Sequence, residues 1–183
     1  MHYRLLSDLE NYRNYILEEN EKFEMIKYSD LFDGRSHKDI YKPVRFVMTK
    51  KSEIKYSLAD VSLGPIPLCS EKAKNAILSI CDENEVEFLP CSLEETDEKY
   101  YIFNVLGSEN CVNYDNSKFH RFPSSGRIMF FEYIEFNKEI KRHIFRIEDL
   151  KHNHYFVNEE TKEVLEKAGL KGILFDNNVF VKK

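Results

Sequence analysis

Short apolar or alternating runs recur along this chain, and such runs predict β-strands. The predicted strands, rich in aromatic and β-branched residues, are 44–48, 86–89, 100–106, 128–136, 143–147, 155–157, 173–175 and 179–181. In 100–106 and 128–136 apolar residues stand at both parities, so we expect these two strands to be covered on both faces, at least in part. Polar loops at 113–117 and 123–126 separate the longer strands.

The N-terminal region is predicted to contain a helix followed by loops. Ser7 and Glu10 form a capping box at the start of a run with helical spacing, which predicts a helix of about ten residues from Asp8. Periodicity is then lost over residues 20–43, where 33–36 has the composition of a turn or surface loop.

Two further helices carry stronger end signals. Ser70 is the predicted N-cap of a helix over 71–80, in which Ala73, Ile77 and Ile80 share one face. Asn158 is the predicted N-cap of the last helix. Gly169 is predicted to adopt the left-handed conformation that ends this helix.

Groups of strands bracketed by separate helices predict an α+β fold, with a mixed or largely antiparallel sheet and a few packed helices. The 183 residues suit one domain. We expect a single domain over 1–183, with an N-terminal helical and loop portion at 1–45 and the main α+β body at 46–183.

Charge and hydropathy narrow the classes of partner. The formal net charge is −5, which argues against a nucleic-acid partner because phosphate binding requires clustered Lys and Arg. The first eight residues are charged and lack an apolar stretch, and no apolar run approaches the ~20 residues that cross a membrane. We therefore expect a cytoplasmic protein that has no membrane partner.

Residue types that could perform chemistry do not form a recognisable site. The four cysteines, at 69, 81, 91 and 111, have neither zinc nor redox spacing, so we expect buried or partly buried free thiols. His152 and His154, with His143 nearby, would need a third metal ligand that the sequence does not locate, which favours exposed or loop histidines. Residues 124–127 lack the glycine spacing and lysine of a phosphate loop. We therefore assign no catalytic residue, metal ligand, cofactor or small-molecule substrate.

Acidic residues are concentrated in one stretch that contains no Lys or Arg. Eight of them lie there: Asp82, Glu83, Glu85, Glu87, Glu94, Glu95, Asp97 and Glu98. Because Glu85 and Glu87 alternate with Val86 and Phe88, we expect the carboxylates to project outward and the apolar side chains to enter the core. Such a face would attract a basic partner protein. The alternative is a solvated rim that serves solubility.

An aromatic and basic cluster offers a second candidate contact. Residues 119–122 fall in a predicted loop, and Phe119 and Arg121 are the partner-binding candidates within it. The alternative is ordinary packing beneath the loop.

Several segments together resemble one known family. They are 66–74, 86–90, 101–105, 143–147, 156–160 and 166–175. Their order and spacing resemble the myxobacterial-type immunity domain (immunity family eleven) of bacterial polymorphic toxin systems. The resemblance implies an immunity protein that binds and neutralises a cognate toxin in a stoichiometric complex, with no enzymatic activity. The toxin would be basic if it attacks nucleic acid.

Two other classes of function remain open. One is a small hydrolase or transferase with a scattered site, which would need a pocket with converging His, Asp or Cys side chains. The other is a regulatory module that binds a protein other than a toxin.

Overall fold

Three β-sheets and two helices form the architecture in the computed structural model, which describes residues 1–18, 34–48, 57–148, 150 and 154–181. The first elements in chain order are β1 (His2–Ser7), β2 (Tyr15–Leu17), β3 (Arg45–Met48), β4 (Val61–Ser62), β5 (Leu68–Ser70), α1 (Glu71–Leu78), β6 (Val86–Leu93) and β7 (Thr96–Val105). They are followed by β8 (Lys118–Arg121), β9 (Ile128–Phe136), β10 (Ile144–Phe145), β11 (Tyr155–Asn158), α2 (Glu159–Lys167), β12 (Ile173–Asp176) and β13 (Val179–Val181).

The sheets are mixed and antiparallel, which confirms the predicted α+β class. A six-stranded sheet has the order β2-β3-β6-β7-β5-β4, in which only the β3–β6 pair is parallel. A four-stranded antiparallel sheet has the order β10-β11-β1-β12. The third sheet, β13-β9-β8, joins β13 and β9 in parallel and β9 and β8 antiparallel.

Strands β7 and β11 separate three hydrophobic clusters. Phe103 and Val105 of β7 enter a first core with both helices and β1, whereas Tyr100 and Ile102 enter a second core with β2 and β3. In β11, Tyr155 and Val157 face the first core, and Phe156 faces a third core beside β9. Both faces of these strands are therefore buried, as expected for 100–106.

Strand β9 is covered less completely. Phe131, Ile134 and Phe136 are buried in the third core, whereas Phe130 and Tyr133 are exposed. The expectation of partial coverage for 128–136 is confirmed, and the exposed side chains leave an aromatic surface on this strand.

The helix predicted from Asp8 is wrong. The chain forms strand β1 up to Ser7, turns, and then forms β2. Ser7 does not cap a helix, because its Oγ accepts the backbone N–H of Leu63 at 2.9 Å. Tyr15–Leu17, which the helix would have contained, instead pair with β3 as strand β2, and a short isolated helix is only marginally stable by itself.

The two other helices begin where their caps predict. Ser70 Oγ accepts the N–H of Ala73 at 3.2 Å, and Asn158 Oδ1 accepts the N–H of Thr161 at 2.8 Å. Gly169 follows α2 with φ of +60°, the left-handed conformation predicted for it. In the described part of the chain no helix is long and apolar enough to cross a membrane.

Gly172 lies where the four-stranded and six-stranded sheets meet. Its carbonyl accepts the N–H of Asp8 at 3.0 Å, and the preceding Lys171 carbonyl accepts the N–H of Val61 at 3.0 Å. A Cβ on Gly172 would lie 2.4 Å from the Val61 carbonyl oxygen, and its φ is +93°. This contact therefore requires glycine for its space and for its conformation.

We expect Gly172→Ala to lower the free energy of unfolding by about 3 kcal/mol or more, because backbone strain and a collision with backbone add together. Gly169→Ala is the matched control. Its φ is also positive but a Cβ there meets nothing within 4 Å, so the loss should be about 1 kcal/mol. Urea denaturation measures both, and equal losses would contradict the close contact at Gly172.

Candidate functional site

The acidic stretch lies on one β-hairpin that distributes its carboxylates over three places. Strands β6 and β7 are joined by a two-residue turn, Glu94-Glu95, between the paired residues Leu93 and Thr96. Asp82 and Glu83 are exposed at the other end, roughly 25 Å away for an eight-residue strand. Glu85 and Glu87 lie between these ends.

Glu87 is buried, so the prediction that it projects outward is wrong. It pairs in register with Asn104 and is 1% exposed. Its carboxylate accepts the N–H of His37 at 2.9 Å, Ser36 Oγ at 2.8 Å and Asn104 Nδ2 at 2.7 Å. Glu87 does lie on the opposite face of β6 from Val86, as the alternation predicts, but residues 36–37 cover that face at Glu87.

Glu85 is also buried, which corrects the same prediction. Its carboxylate accepts the backbone N–H of His143 at 3.1 Å and lies 3.2 Å from His143 Nδ1. The Arg142 guanidinium lies 3.7 Å away. Glu85 therefore holds the segment before β10 against the start of β6, and neither inner carboxylate is available to a partner.

Four of the six remaining acids form the acidic turn, defined as Glu94, Glu95, Asp97 and Glu98. All four are exposed, and Glu95 accepts the N–H of Met48 at 2.7 Å. Glu94, Asp97 and Glu98 form no ion pair with any residue that the structure describes. These three negative charges are therefore available at one end of the hairpin.

A cleft of about 820 Å³ borders the acidic turn, and Asp97 and Glu98 line it. Its other acidic residues are paired: Asp60 lies 3.6 Å from Lys72 Nζ, and Glu71 lies 3.6 Å from Lys99 Nζ. Among the described residues, no histidine or cysteine lines this cleft. Of the His, Asp and Cys side chains that a hydrolase or transferase site would bring together, this cleft contains only Asp60 and Asp97 among the described residues.

Residues 118–121 form strand β8, so the loop predicted for the aromatic and basic cluster is wrong. Phe119 is partly buried, with its ring 5.5 Å from that of Phe131 and 5.8 Å from that of Tyr114. The exposed Arg121 guanidinium lies 4.8 Å from the Phe119 ring centroid. Phe119 is thus a packing residue, whereas Arg121 faces solvent.

Sequence reasoning placed Phe122 in the aromatic and basic cluster but missed Arg127 and Met129 on the same hairpin. Phe122, Arg127 and Met129 are exposed near its tip, and the Phe122 N–H donates to the Arg127 carbonyl at 2.9 Å. A signal was present, because the turn residues 123–126 precede the predicted strand 128–136, and a hairpin across this turn places Phe122 opposite Arg127.

The cysteines form no disulfide, as predicted, and three of them are poor nucleophiles. Cys69, Cys81 and Cys111 are buried, and Cys91 is partly buried. Burial raises the pKa of the Cys81 and Cys91 thiols to about 12, and it raises the pKa of Cys69 as well. These three thiols remain protonated at neutral pH.

The histidines do not form a metal site in the part of the chain that is described. His152 lies outside the described residues, and His143 contacts Glu85. His154 is partly buried, and burial lowers its pKa to about 4, with Arg4 and Arg146 contributing in the same direction. No group of three potential ligands occurs among the described residues.

We expect Glu87→Ala to lower the free energy of unfolding by about 3 kcal/mol, because it removes the acceptor of two buried donors, the N–H of His37 and Nδ2 of Asn104. Glu94→Ala removes an exposed carboxylate from the same hairpin and should change stability by less than about 0.5 kcal/mol. Chemical denaturation of the two variants measures the difference. Similar losses would contradict an anchoring role for Glu87.

Stability should fall in acid because His154 resists protonation in the folded state. Its folded pKa is about 4, against 6.5 in the unfolded chain, so as pH falls below 6.5 only the unfolded state gains this proton. We expect the free energy of unfolding of wild type to fall relative to that of His154→Gln from pH 7 to pH 5. Above pH 7 the difference between the two should be constant. Thermal unfolding across this range measures it, and a pH-independent difference would exclude the effect.

A protein-family comparison matches the chain over most of its length. The model of the Immunity protein family (Imm11) covers residues 7–179, from the end of β1 to the start of β13. The match extends beyond the segments that carried the resemblance. No curated protein matches the chain. Members of such a family typically are not enzymes, and the family implies a cognate toxin as partner. The chain belongs to the Imm11 family of immunity proteins.

Proposed function

We propose that this protein neutralises its cognate toxin in the cytoplasm by forming a stoichiometric complex with it. The acidic turn is the proposed contact surface, and the toxin face that it meets is basic. The observation that carries this proposal is the set of carboxylates on Glu94, Asp97 and Glu98, which lack ion partners among the described residues. A toxin that attacks nucleic acid would supply positive charge, because its substrate is polyanionic.

The acidic turn is held in place before any partner arrives. The Glu94 N–H donates to the Phe46 carbonyl at 3.0 Å, so the turn is tied to β3. Leu93 and Tyr100 flank the turn and are buried in the second core. Because this surface is already ordered, binding the toxin costs less conformational entropy than it would for a flexible hairpin.

The turn alone is too small for a tight complex. A stable interface buries about 1,200–2,000 Å² in total. The adjoining cleft enlarges the surface, since Asp97 and Glu98 form part of its rim. We propose that the toxin covers both the turn and this rim, and that charge attraction raises the association rate more than the final affinity.

We also infer that residues 1–183 act as one domain. Strand β1 at one end of the chain pairs with β11 and β12 near the other end, and the first core contains residues of β1, β7 and β11. This interleaving supports a single cooperative unit.

The charge-reversal pair Asp97→Lys/Glu98→Lys should slow association with the toxin by about tenfold at low salt and weaken its dependence on ionic strength. Stopped-flow or surface-binding kinetics from ~50 to ~300 mM salt measure both quantities. Survival of a toxin-expressing host that co-expresses each variant gives a cellular readout.

The matched control is Asp82→Lys/Glu83→Lys, which makes the same charge change at the far end of the same hairpin. We expect this control to change the association rate less than about twofold. Equal effects at the two ends would point to net charge and reject the acidic turn as the contact. A wild-type chain that neither binds nor neutralises the toxin would refute the proposed function itself.

A further inference from the structure

Strand β8 forms one edge of the three-stranded sheet. Among the described residues its backbone pairs with β9 alone. The register shifts twice along this pair, and both extra residues, Met129 and Glu132, belong to β9. Strand β8 therefore keeps a regular backbone along Lys118–Arg121, and a regular edge strand can accept another extended segment.

The cations on this hairpin divide into two groups. Lys118 Nζ and His120 Nε2 each lie 2.6 Å from a carboxylate oxygen of Glu132, and these hydrogen bonds lower the pKa of Glu132. Arg121 and Arg127 pair with no carboxylate in the described part of the chain. Two guanidinium groups therefore remain available for negative charge.

The available cations stand beside exposed apolar side chains. Arg121 donates through Nη1 to the Gly126 carbonyl at 2.7 Å, and this hydrogen bond holds its guanidinium beside the turn. Phe122 is 45% exposed between Arg121 and the turn, and Met129 is 39% exposed. The surface thus combines a backbone edge, two guanidinium groups and apolar area, and we name it the cationic edge: Lys118–Arg121, Phe122, Arg127 and Met129.

The ring geometry disfavours nucleic acid as the occupant. His120 stacks on Phe130 at 4.5 Å with an interplanar angle of 18°. The Arg121 guanidinium covers the Phe119 ring. Since binding of single-stranded nucleic acid relies on free aromatic faces for stacking, these internal contacts remove part of the required platform.

The charges also disfavour a second copy of this chain as the occupant. A two-fold antiparallel pairing of β8 with itself would bring the same cationic face of both copies together, for example Arg121 opposite Arg121 when the pairing centres on that residue, and like charges placed directly opposite are destabilising. An acidic segment would instead be attracted, because its carboxylates would approach the guanidinium groups of Arg121 and Arg127.

We propose that the cationic edge binds an extended segment of the partner protein that carries Asp or Glu side chains, by strand addition to β8. The segment supplies backbone hydrogen bonds to β8, carboxylates to Arg121 and Arg127, and apolar contact to Phe122. This proposal rests on the proposed function only in taking the partner to be a protein, and it adds a second surface of opposite charge to the acidic turn.

A peptide probe tests the cationic edge without the toxin. The probe is a capped heptapeptide of alternating glutamate and valine, and a lysine–valine heptapeptide is the control probe. We expect millimolar glutamate–valine peptide to shift the amide resonances of β8 in the full chain and to slow their hydrogen exchange. The lysine–valine peptide should do neither.

Variants assign the binding to the two guanidinium groups. Arg121→Ser/Arg127→Ser should weaken peptide binding about tenfold, the sum of two exposed charge contacts. Lys141→Ser/Lys167→Ser removes two exposed cations outside the cationic edge and should leave peptide binding unchanged. The natively dispersed spectrum of each variant verifies that it is folded.

Three results would overturn the proposal: β8 amides that do not respond to the glutamate–valine peptide, equal binding of both peptides, or tighter binding of an oligothymidine at the same residues. Failure here leaves the proposed function standing, because that function is tested by toxin association at the acidic turn. Conversely, the Asp97→Lys/Glu98→Lys variant should still bind the peptide, so each proposal can fail alone.

Discussion

The backbone contact at Gly172 is the constraint on which the arrangement of the two larger sheets depends. Two hydrogen bonds cross at this point, from Asp8 to Gly172 and from Val61 to Lys171. They bring β1, β4 and the turn before β12 within a distance that leaves no room for a Cβ. Leu5 and Val61 beside this contact belong to the first core, and Ile173 packs against it. Lys171 also donates its N–H to Asp60 Oδ2 at 2.9 Å, so the same junction forms one wall of the cleft beside the acidic turn.

Buried carboxylates hold the hairpin that carries this turn. Glu87 binds residues 36–37, and Glu85 binds residues 142–143. Each carboxylate exchanges its hydration for several protein donors, which is the condition for burying a charge without a large loss of stability. The start of β6 is thereby fixed at two points along one face, and the exposed acids at the other end of the strand are presented in a defined geometry. The acidic composition of this region thus serves two purposes: internal anchoring along β6 and available charge at the turn.

The acidic turn and the cationic edge give the surface two regions of opposite sign. A partner that bound both would need a basic face and an acidic extended segment, held at the distance and orientation that separate the acidic turn from the cationic edge. Such a requirement rejects partners that match only one region, since a mismatched charge pair is unfavourable. If the toxin contacts both proposed surfaces, opposite charges at separate sites would discriminate among partner proteins without additional apolar area.

Local hydrogen bonding determined much of what the sequence predicted correctly. Ser70 and Asn158 cap their helices, and Gly169 ends one, because each signal is satisfied by neighbours within a few residues. The same kind of signal failed at Ser7, since a distant donor, the N–H of Leu63, takes its hydroxyl oxygen. Strand β8 was missed because a strand of four residues is stabilised by its partner β9 and not by its own composition.

The sequence by itself determined the α+β class, the two capped helices, the free thiols and the concentration of acidic residues between Asp82 and Glu98. Tertiary structure alone decided which of these acids reach solvent. Alternation predicts that Glu85 and Glu87 lie on one face of the strand and Val86 on the other. Both faces of β6, however, are covered by other parts of the chain. Period-two patterning distinguishes the two faces of a strand, whereas the solvent exposure of each face is set by what packs on it.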